Sequence, residues 1–194
     1  KTINYDHTFS YPKLDKTLIL RDLFQFNFYF LDVLEIPYNA GKLIKDFDRF
    51  ASQFDKLSPQ GFVFRDFQSR NIMVNANNEV HFIDYQSAMR GPMMYDVISF
   101  LYQAKANFSK EFRRKMLDYY YQFWKDENTK RQLNDSVMPI KLIRFLQVLG
   151  AYGFRGLVQR KPHFLESINQ GIENISEFSN EWDEMDKFPE LLQI

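Results

Sequence analysis

Phe62-Val63-Phe64-Arg65-Asp66-Phe67-Gln68-Ser69-Arg70-Asn71-Ile72-Met73-Val74, followed by Val80-His81-Phe82-Ile83-Asp84-Tyr85-Gln86, is the stretch that decides how this chain is read. Residues 62–65, 72–75 and 80–83 are short runs of β-branched and aromatic side chains separated by polar loops, which is a strand signature. Folding 72–75 back on 80–83 around the loop 76–79 pairs Ile72 with Ile83 and Asn75 with Val80, and so places Asn71 opposite Asp84. Opposed residues of an antiparallel ladder have Cα atoms about 4.5–5.5 Å apart. At that separation an amide oxygen and a carboxylate can share one hard cation, and Mg²⁺ takes oxygen ligands. Asp66, five residues before Asn71, opens the same loop and is expected to face the site without being a ligand. One carboxylate to accept the proton of an attacking hydroxyl, with a second carboxylate and an amide to hold Mg²⁺ on the donor phosphates, is the division of labour of phosphoryl transfer.

Around this patch the chain reads as helix. Leu18, Ile19, Leu23, Phe24, Phe28, Leu31 and Val33 recur at three- and four-residue steps over 17–35. A second face, Leu43, Phe47, Phe50, Ala51, Phe54 and Leu57, precedes Pro59-Gln60-Gly61. After Gly91-Pro92, helices are expected over 94–105, 110–125, 137–159 and 163–178, with Ser109 as N-cap of the second. The expected class is therefore mainly α with a small β-hairpin patch (α+β). Gly150, Gly153 and Gly156 follow no strand, so their spacing of three predicts close helix packing and not a phosphate loop. The acidic run 181–186 predicts a solvated tail or linker over 179–194.

Composition excludes several classes. A chain of 194 residues suits one domain, or one domain plus a tail. Lys plus Arg and Asp plus Glu both number 25, so no basic field draws in nucleic acid or an acidic membrane. The absence of cysteine removes disulfides, thiolate nucleophiles and Cys-containing zinc sites, and fits a reducing, cytoplasmic setting. Apolar runs such as 28–31 fall well short of the ~20 residues that span a bilayer. His7, His81 and His163 are scattered without the spacing of a zinc helix, and no G-x-S-x-G elbow is present.

Arg65-Asp66 with Asn71 five positions on resembles the protein-kinase superfamily loop H-R-D-x-x-x-x-N, and Asp84 follows where that superfamily has its metal-binding aspartate. The wider set, with Ile83-Asp84-Tyr85-Gln86, Gly91-Pro92 and Tyr95-Asp96-Val97, is similar to the aminoglycoside-phosphotransferase-type small-molecule kinases. Within them it resembles bacterial members that phosphorylate cell-wall amino sugars. Residues 146–156 and 161–165 resemble the same branch, so the likeness runs over about 11–178. It implies an ATP- and Mg²⁺-dependent transfer to a hydroxyl of a small molecule, a sugar or amino sugar. Asp66 would be the catalytic base or the orienter of the hydroxyl, Arg65 would brace the loop, and Asn71 and Asp84 would hold the metal and, through it, ATP. Asp96 would be structural, accepting hydrogen bonds from the loop backbone, and Gln86 and Arg90 would be weaker candidates for substrate contact.

Two features depart from that pattern. Phe64 stands where the loop has histidine. Residues 1–60 hold one glycine, Gly41, and read as helices, without the Gly-rich loop and strand lysine of a nucleotide-covering lobe. The chain, which opens on Lys1, is accordingly expected to be a kinase-like C-terminal lobe: a catalytic loop and metal site in 62–90 and a helical subdomain in 94–178. The missing N-terminal lobe of the same polypeptide is then its expected partner, with a small-molecule substrate and no nucleic acid or membrane. A pseudokinase-like docking module without catalysis is the competing expectation.

Overall fold

The structure, a computed structural model, describes residues 3–5, 11–103 and 106–194. The chain forms two compact units, one from 1–14 and 57–140, the other from 15–56 and 141–194. His7 and Lys105, the latter at the end of an expected helix, lie outside the described residues.

The first unit holds the strands. β1 (Gln60–Val63) pairs antiparallel with β4 (Met89–Pro92), and β2 (Ile72–Val74) with β3 (Val80–Phe82), as two separate two-stranded sheets. β4 was not expected, because Gly91 and Pro92 are poor strand residues. It forms because Val63 and Met89 are both buried, and because residues 12–14 run along its outer edge. There Leu14 N–H donates to Arg90 O at 2.8 Å, and Arg90 N–H donates to Pro12 O at 3.0 Å.

The β2–β3 register differs by one residue from the sequence expectation. Ile72 pairs with Phe82 and Val74 with Val80. The cause is the loop. Asn75 N–H donates to Glu79 O at 3.1 Å, which leaves three residues, 76–78, to make the turn. Asn78 takes the left-handed conformation at φ 61°, which asparagine tolerates better than most residues, and Asn75 Oδ1 accepts from the N–H groups of Asn77 and Glu79. A three-residue loop shifts the whole ladder, so Asn71 lies against Ile83 and not Asp84; Ile83 N–H donates to Asn71 O at 3.0 Å.

Helices α3 (Met94–Leu101), α4 (Lys110–Tyr121) and α5 (Glu127–Asp135) complete this unit, with the first residues of α6 (Val137–Tyr152). Ser109 caps α4 by accepting from Phe112 N–H. α4 ends at Tyr121, short of the expected 125, and Asp126 opens α5 by accepting from the Thr129 backbone and hydroxyl.

The second unit is a helical packing of α1 (Lys16–Phe26), α2 (Ala40–Phe54), most of α6, and α7 (Pro162–Leu165), α8 (Ile168–Ser179) and α9 (Pro189–Gln193). Leu18, Ile19 and Leu23 of α1, Phe47, Phe50 and Phe54 of α2 and Leu142, Ile143, Leu146 and Leu149 of α6 are buried. π-helical turns extend α1 over Asn27–Leu31 and α6 over Gly153–Val158. They meet closely: a Cβ on Gly153 would stand 2.0 Å from Tyr29 O, and one on Gly150 2.9 Å from Phe26 N. The glycines thus pack backbone against backbone, as their spacing predicts.

Glu181, Asp183 and Asp186 of the acidic stretch are exposed, as a solvated stretch requires, but the 183–193 segment is packed and does not hang free. Met185, Phe188 and Leu191 are buried, and Phe188 meets Phe50 edge-on at 5.6 Å. Asp46 on α2 accepts from Glu190 and Leu191 N–H, and Glu190 in turn accepts from Asn39 N–H. The helical run Glu127–Val158 is long and apolar enough to cross a bilayer by length and composition, unlike the short runs read from the sequence; 61% of its most apolar 18-residue stretch is buried inside the molecule.

Candidate active site

Every candidate residue lies in the first unit. The chain leaves β1 at Val63, and its next two N–H groups are taken by one carboxylate: Phe64 N–H donates to Asp96 Oδ2 at 2.6 Å and Arg65 N–H to Asp96 Oδ1 at 3.0 Å. Asp96 sits in the first turn of α3, just after β4. Arg65 there has φ 67°, a left-handed conformation that costs a residue with a Cβ about 1–2 kcal/mol. The two charge-assisted hydrogen bonds offset that cost and turn the chain sharply into the loop. Burial pushes the nearby Tyr120 phenol above its ordinary value, and the Asp96 charge pushes it the same way.

Phe64, in the histidine position, packs into a run of rings. It lies 5.1 Å from Phe62, 5.5 Å from Phe67 and 5.6 Å from Phe82, centroid to centroid. These contacts tie the loop to β3 by apolar packing where a histidine would offer a polar tip.

Asp66 follows at the loop's outer face, with 38% of its side chain exposed. Its Oδ1 accepts from Gln68 Nε2, and its Oδ2 accepts from Arg70 Nη2 at 3.3 Å and Asn71 Nδ2 at 3.2 Å. Asn71 closes a short 3₁₀ turn, Ser69–Asn71, and is only 7% exposed. Its Nδ2 also donates to Asp66 O at 2.9 Å. Both amide hydrogens are thereby spent on Asp66, while Oδ1, the atom a hard cation needs, accepts from no described residue.

Asp84, one residue past the partner of Asn71, ends the hairpin at φ 64°. It is exposed, and its carboxylate makes no hydrogen bond or ion pair with a described residue. Gln86 and Arg90 are exposed as well, but neither side chain hydrogen-bonds to Asp66, Asn71 or Asp84; Arg90 belongs to the other sheet, opposite Phe62. The structure thus brings Asp66, Asn71 and the loop-holding Asp96 together and sets Asp84 diagonally beside Asn71. Gln68 and Gln103 also bear on the loop, and neither could be singled out from the sequence, since a lone glutamine carries no pattern whether in a loop or at a helix end. Gln103 Oε1 accepts from Ser69 N–H at 3.2 Å and from its hydroxyl at 3.3 Å.

The donor set fits a magnesium ion. An uncommitted amide oxygen and an uncommitted carboxylate are hard ligands, and Mg²⁺ in phosphate sites takes one or two protein oxygens, the remainder coming from phosphate and water. Among the described residues, no group of three or more His, Cys, Asp or Glu side chains is placed to hold a metal ion by itself.

Residues 7–133, well over half of the chain, match the phosphotransferase enzyme family. The chain belongs to that family. Among solved structures, this phosphotransferase-family chain is similar to an ethanolamine kinase of Plasmodium vivax, with 17% sequence identity and a TM-score of 0.60 over 86% of this chain and 49% of that one. That likeness is one of fold, and the chain spans about half the length of the kinase it matches. No curated protein matches it in sequence.

Proposed function

We propose that this chain carries the catalytic loop and metal site of an ATP-dependent kinase that phosphorylates a hydroxyl of a small molecule, a sugar or amino sugar. The observation that carries the reading is the Asp66–Asn71 pair: a half-exposed carboxylate and a buried amide locked to one another at 3.2 Å, on a loop held by Asp96. Asp66 orients the acceptor hydroxyl and accepts its proton as that oxygen attacks the terminal phosphorus, while the bond from that phosphorus to the bridging oxygen breaks and ADP leaves. Asn71 Oδ1 and the Asp84 carboxylate would be the protein ligands for Mg²⁺, which when bound would neutralise charge on the donor phosphates. Arg65 braces the loop through its left-handed backbone. Gln86 and Arg90, beyond the hairpin, are where an acceptor contact is to be sought. Catalysis of this kind rests on positioning and fixed charge.

Residues 15–56 fold into α1 and α2 and offer no strand-borne glycine loop. We therefore assign the nucleotide-covering lobe to another part of the polypeptide, and its site to the cytoplasm, where ATP is supplied. The chain by itself is expected to bind Mg-ATP weakly and to turn over negligibly.

The test is ATP consumption by the complete protein across a panel of hexoses and amino sugars. Asp66→Asn is expected to lower kcat by ~10²–10⁴-fold while circular dichroism and thermal midpoint stay unchanged. Retained turnover in that variant would move the base elsewhere. Phe64 in the histidine position favours a second reading, a docking module without catalysis. Metal-dependent nucleotide binding by the complete protein separates the two, because a docking module has no use for it.

A further inference from the structure

The loop carrying Asp66 and Asn71 is fastened to α3 at two places, and only the first has a role in the reading above. At its start, Asp96 in the first turn of α3 holds the N–H groups of Phe64 and Arg65. At its middle, Gln103, just past the other end of the same helix, holds Ser69. Its Oε1 accepts from both Ser69 N–H at 3.2 Å and Ser69 Oγ at 3.3 Å, while its Nε2 donates to Phe100 O at 3.1 Å. The Nε2 bond fixes the amide on the last turn of α3, so Oε1 is presented in one direction and not left to swing. Ser69 is the residue that begins the 3₁₀ turn ending at Asn71, and Asn71 N–H closes that turn on Gln68 O at 2.9 Å.

Holding Ser69 therefore holds both Gln68 and Asn71, the two amides that bond to the Asp66 carboxylate. We infer that Gln103 is a positioning residue for phosphotransfer: with Asp96 it makes α3 a two-point clamp that fixes the orientation of Asp66 and Asn71 Oδ1. This rests on the phosphotransfer reading of the same loop. Gln103 touches neither substrate nor metal in this scheme. It acts through Ser69, so its loss should lower the rate of transfer and leave nucleotide binding nearly intact. A displacement of about 1 Å in a positioned group is enough to cost ~10²-fold in rate.

The experiment uses the complete protein in two independent arms. The first is amide hydrogen exchange, which needs no activity. Gln103→Leu removes acceptor and donor at similar volume and is expected to speed exchange at Ser69 and Asn71 about tenfold, the loss of a hydrogen bond's worth of protection. Gln103→Glu keeps the acceptor oxygen and is expected to restore protection at Ser69. The second arm is steady-state kinetics with ATP and the acceptor found by the panel above: kcat should fall ~10-fold or more in Gln103→Leu, with KM for ATP changed less than about twofold. Unchanged exchange at Ser69 overturns the clamp. Faster exchange with unchanged kcat overturns the positioning role and leaves a structural contact. A wild-type protein that transfers no phosphate to any acceptor overturns the functional reading and with it the positioning role, and the exchange arm still decides whether the clamp exists.

Discussion

β1–β4 and β2–β3 are both short antiparallel ladders in one unit, yet they live in opposite environments. In the first, Val63 and Met89 are 0% and 1% exposed; in the second, Val74 and Val80 are 61% and 54% exposed. The first is a foundation: β1 delivers the chain to the loop, β4 delivers it to α3, and a Cβ on Gly91 would come within 2.9 Å of Val63 Cγ2. The second projects its strands outward and contributes only its base. An isolated hairpin is marginal in water. Its base is held by groups that are not its own: the Asp66 carboxylate and carbonyl, which accept from Asn71, and the Phe64 and Phe67 rings, which pack on Phe82. The two candidate metal ligands, Asn71 and Asp84, stand at the entry and exit of that base. Site geometry in this family member therefore depends on packing under β1–β4 and on the loop, and little on the hairpin's tip.

The largest effect expected from that contrast lies in the foundation. Met89→Ala removes a buried side chain from β4 and should cost about 2–5 kcal/mol, as large-to-small core changes do, read as a fall in the urea midpoint. Activity should fall with the folded fraction and no faster. A midpoint within error of wild type would mean that β4 does not anchor the loop, and the contrast between the two ladders would lose its basis.

What the sequence tells in advance follows the same divide. The hairpin, its loop and the helices α1 and α2 are legible because apolar periodicity and residue type agree there. The register is not, because it turns on whether Asn78 takes a left-handed conformation, and a four-residue loop is equally compatible with the string 75–80. β4 is hidden by Gly91 and Pro92, whose propensity is overridden once Val63 needs a buried partner. α5 is hidden because its one buried residue, Leu133, gives no periodicity; only the Asp126 cap marks it. The packed 183–193 segment is hidden by its charges. Its docking depends on Asp46, an acid on α2 that becomes a cap for α9 only in three dimensions. At the site, Asp66, Asn71, Asp84 and Asp96 are legible as a spaced set, whereas Gln68 and Gln103 acquire meaning only from what they touch.

A middle-sized effect is expected at the hairpin's exit. Asp84 holds φ 64° without a hydrogen-bonded side chain to keep it there. Glycine adopts that conformation freely, so Asp84→Gly should leave stability within about 0.5 kcal/mol of wild type, while Asp84→Ala should be about 1 kcal/mol less stable than Asp84→Gly. Both variants should lose Mg²⁺-dependent nucleotide binding in the complete protein, measured by calorimetry with and without chelator. Equal stability of the two variants would mean that the backbone there relaxes. Retained metal-dependent binding would remove Asp84 from the ligand set.

The smallest effect is expected at the hairpin's tip. Val80 is the outermost paired residue of β3, opposite Val74, and both side chains face solvent. Threonine keeps the β-branched shape that suits a strand and adds a hydroxyl that water can satisfy, so Val80→Thr should shift stability by no more than about 0.5 kcal/mol. The same substitution at Val63 would bury that hydroxyl among apolar neighbours and should cost about 1–3 kcal/mol. The ratio between the two, measured by urea denaturation, is a direct reading of how differently the ladders are used. If Val80→Thr proved as costly as Val63→Thr, the β2–β3 strands would be covered in solution, and the hairpin would have to be counted with the foundation that holds the loop.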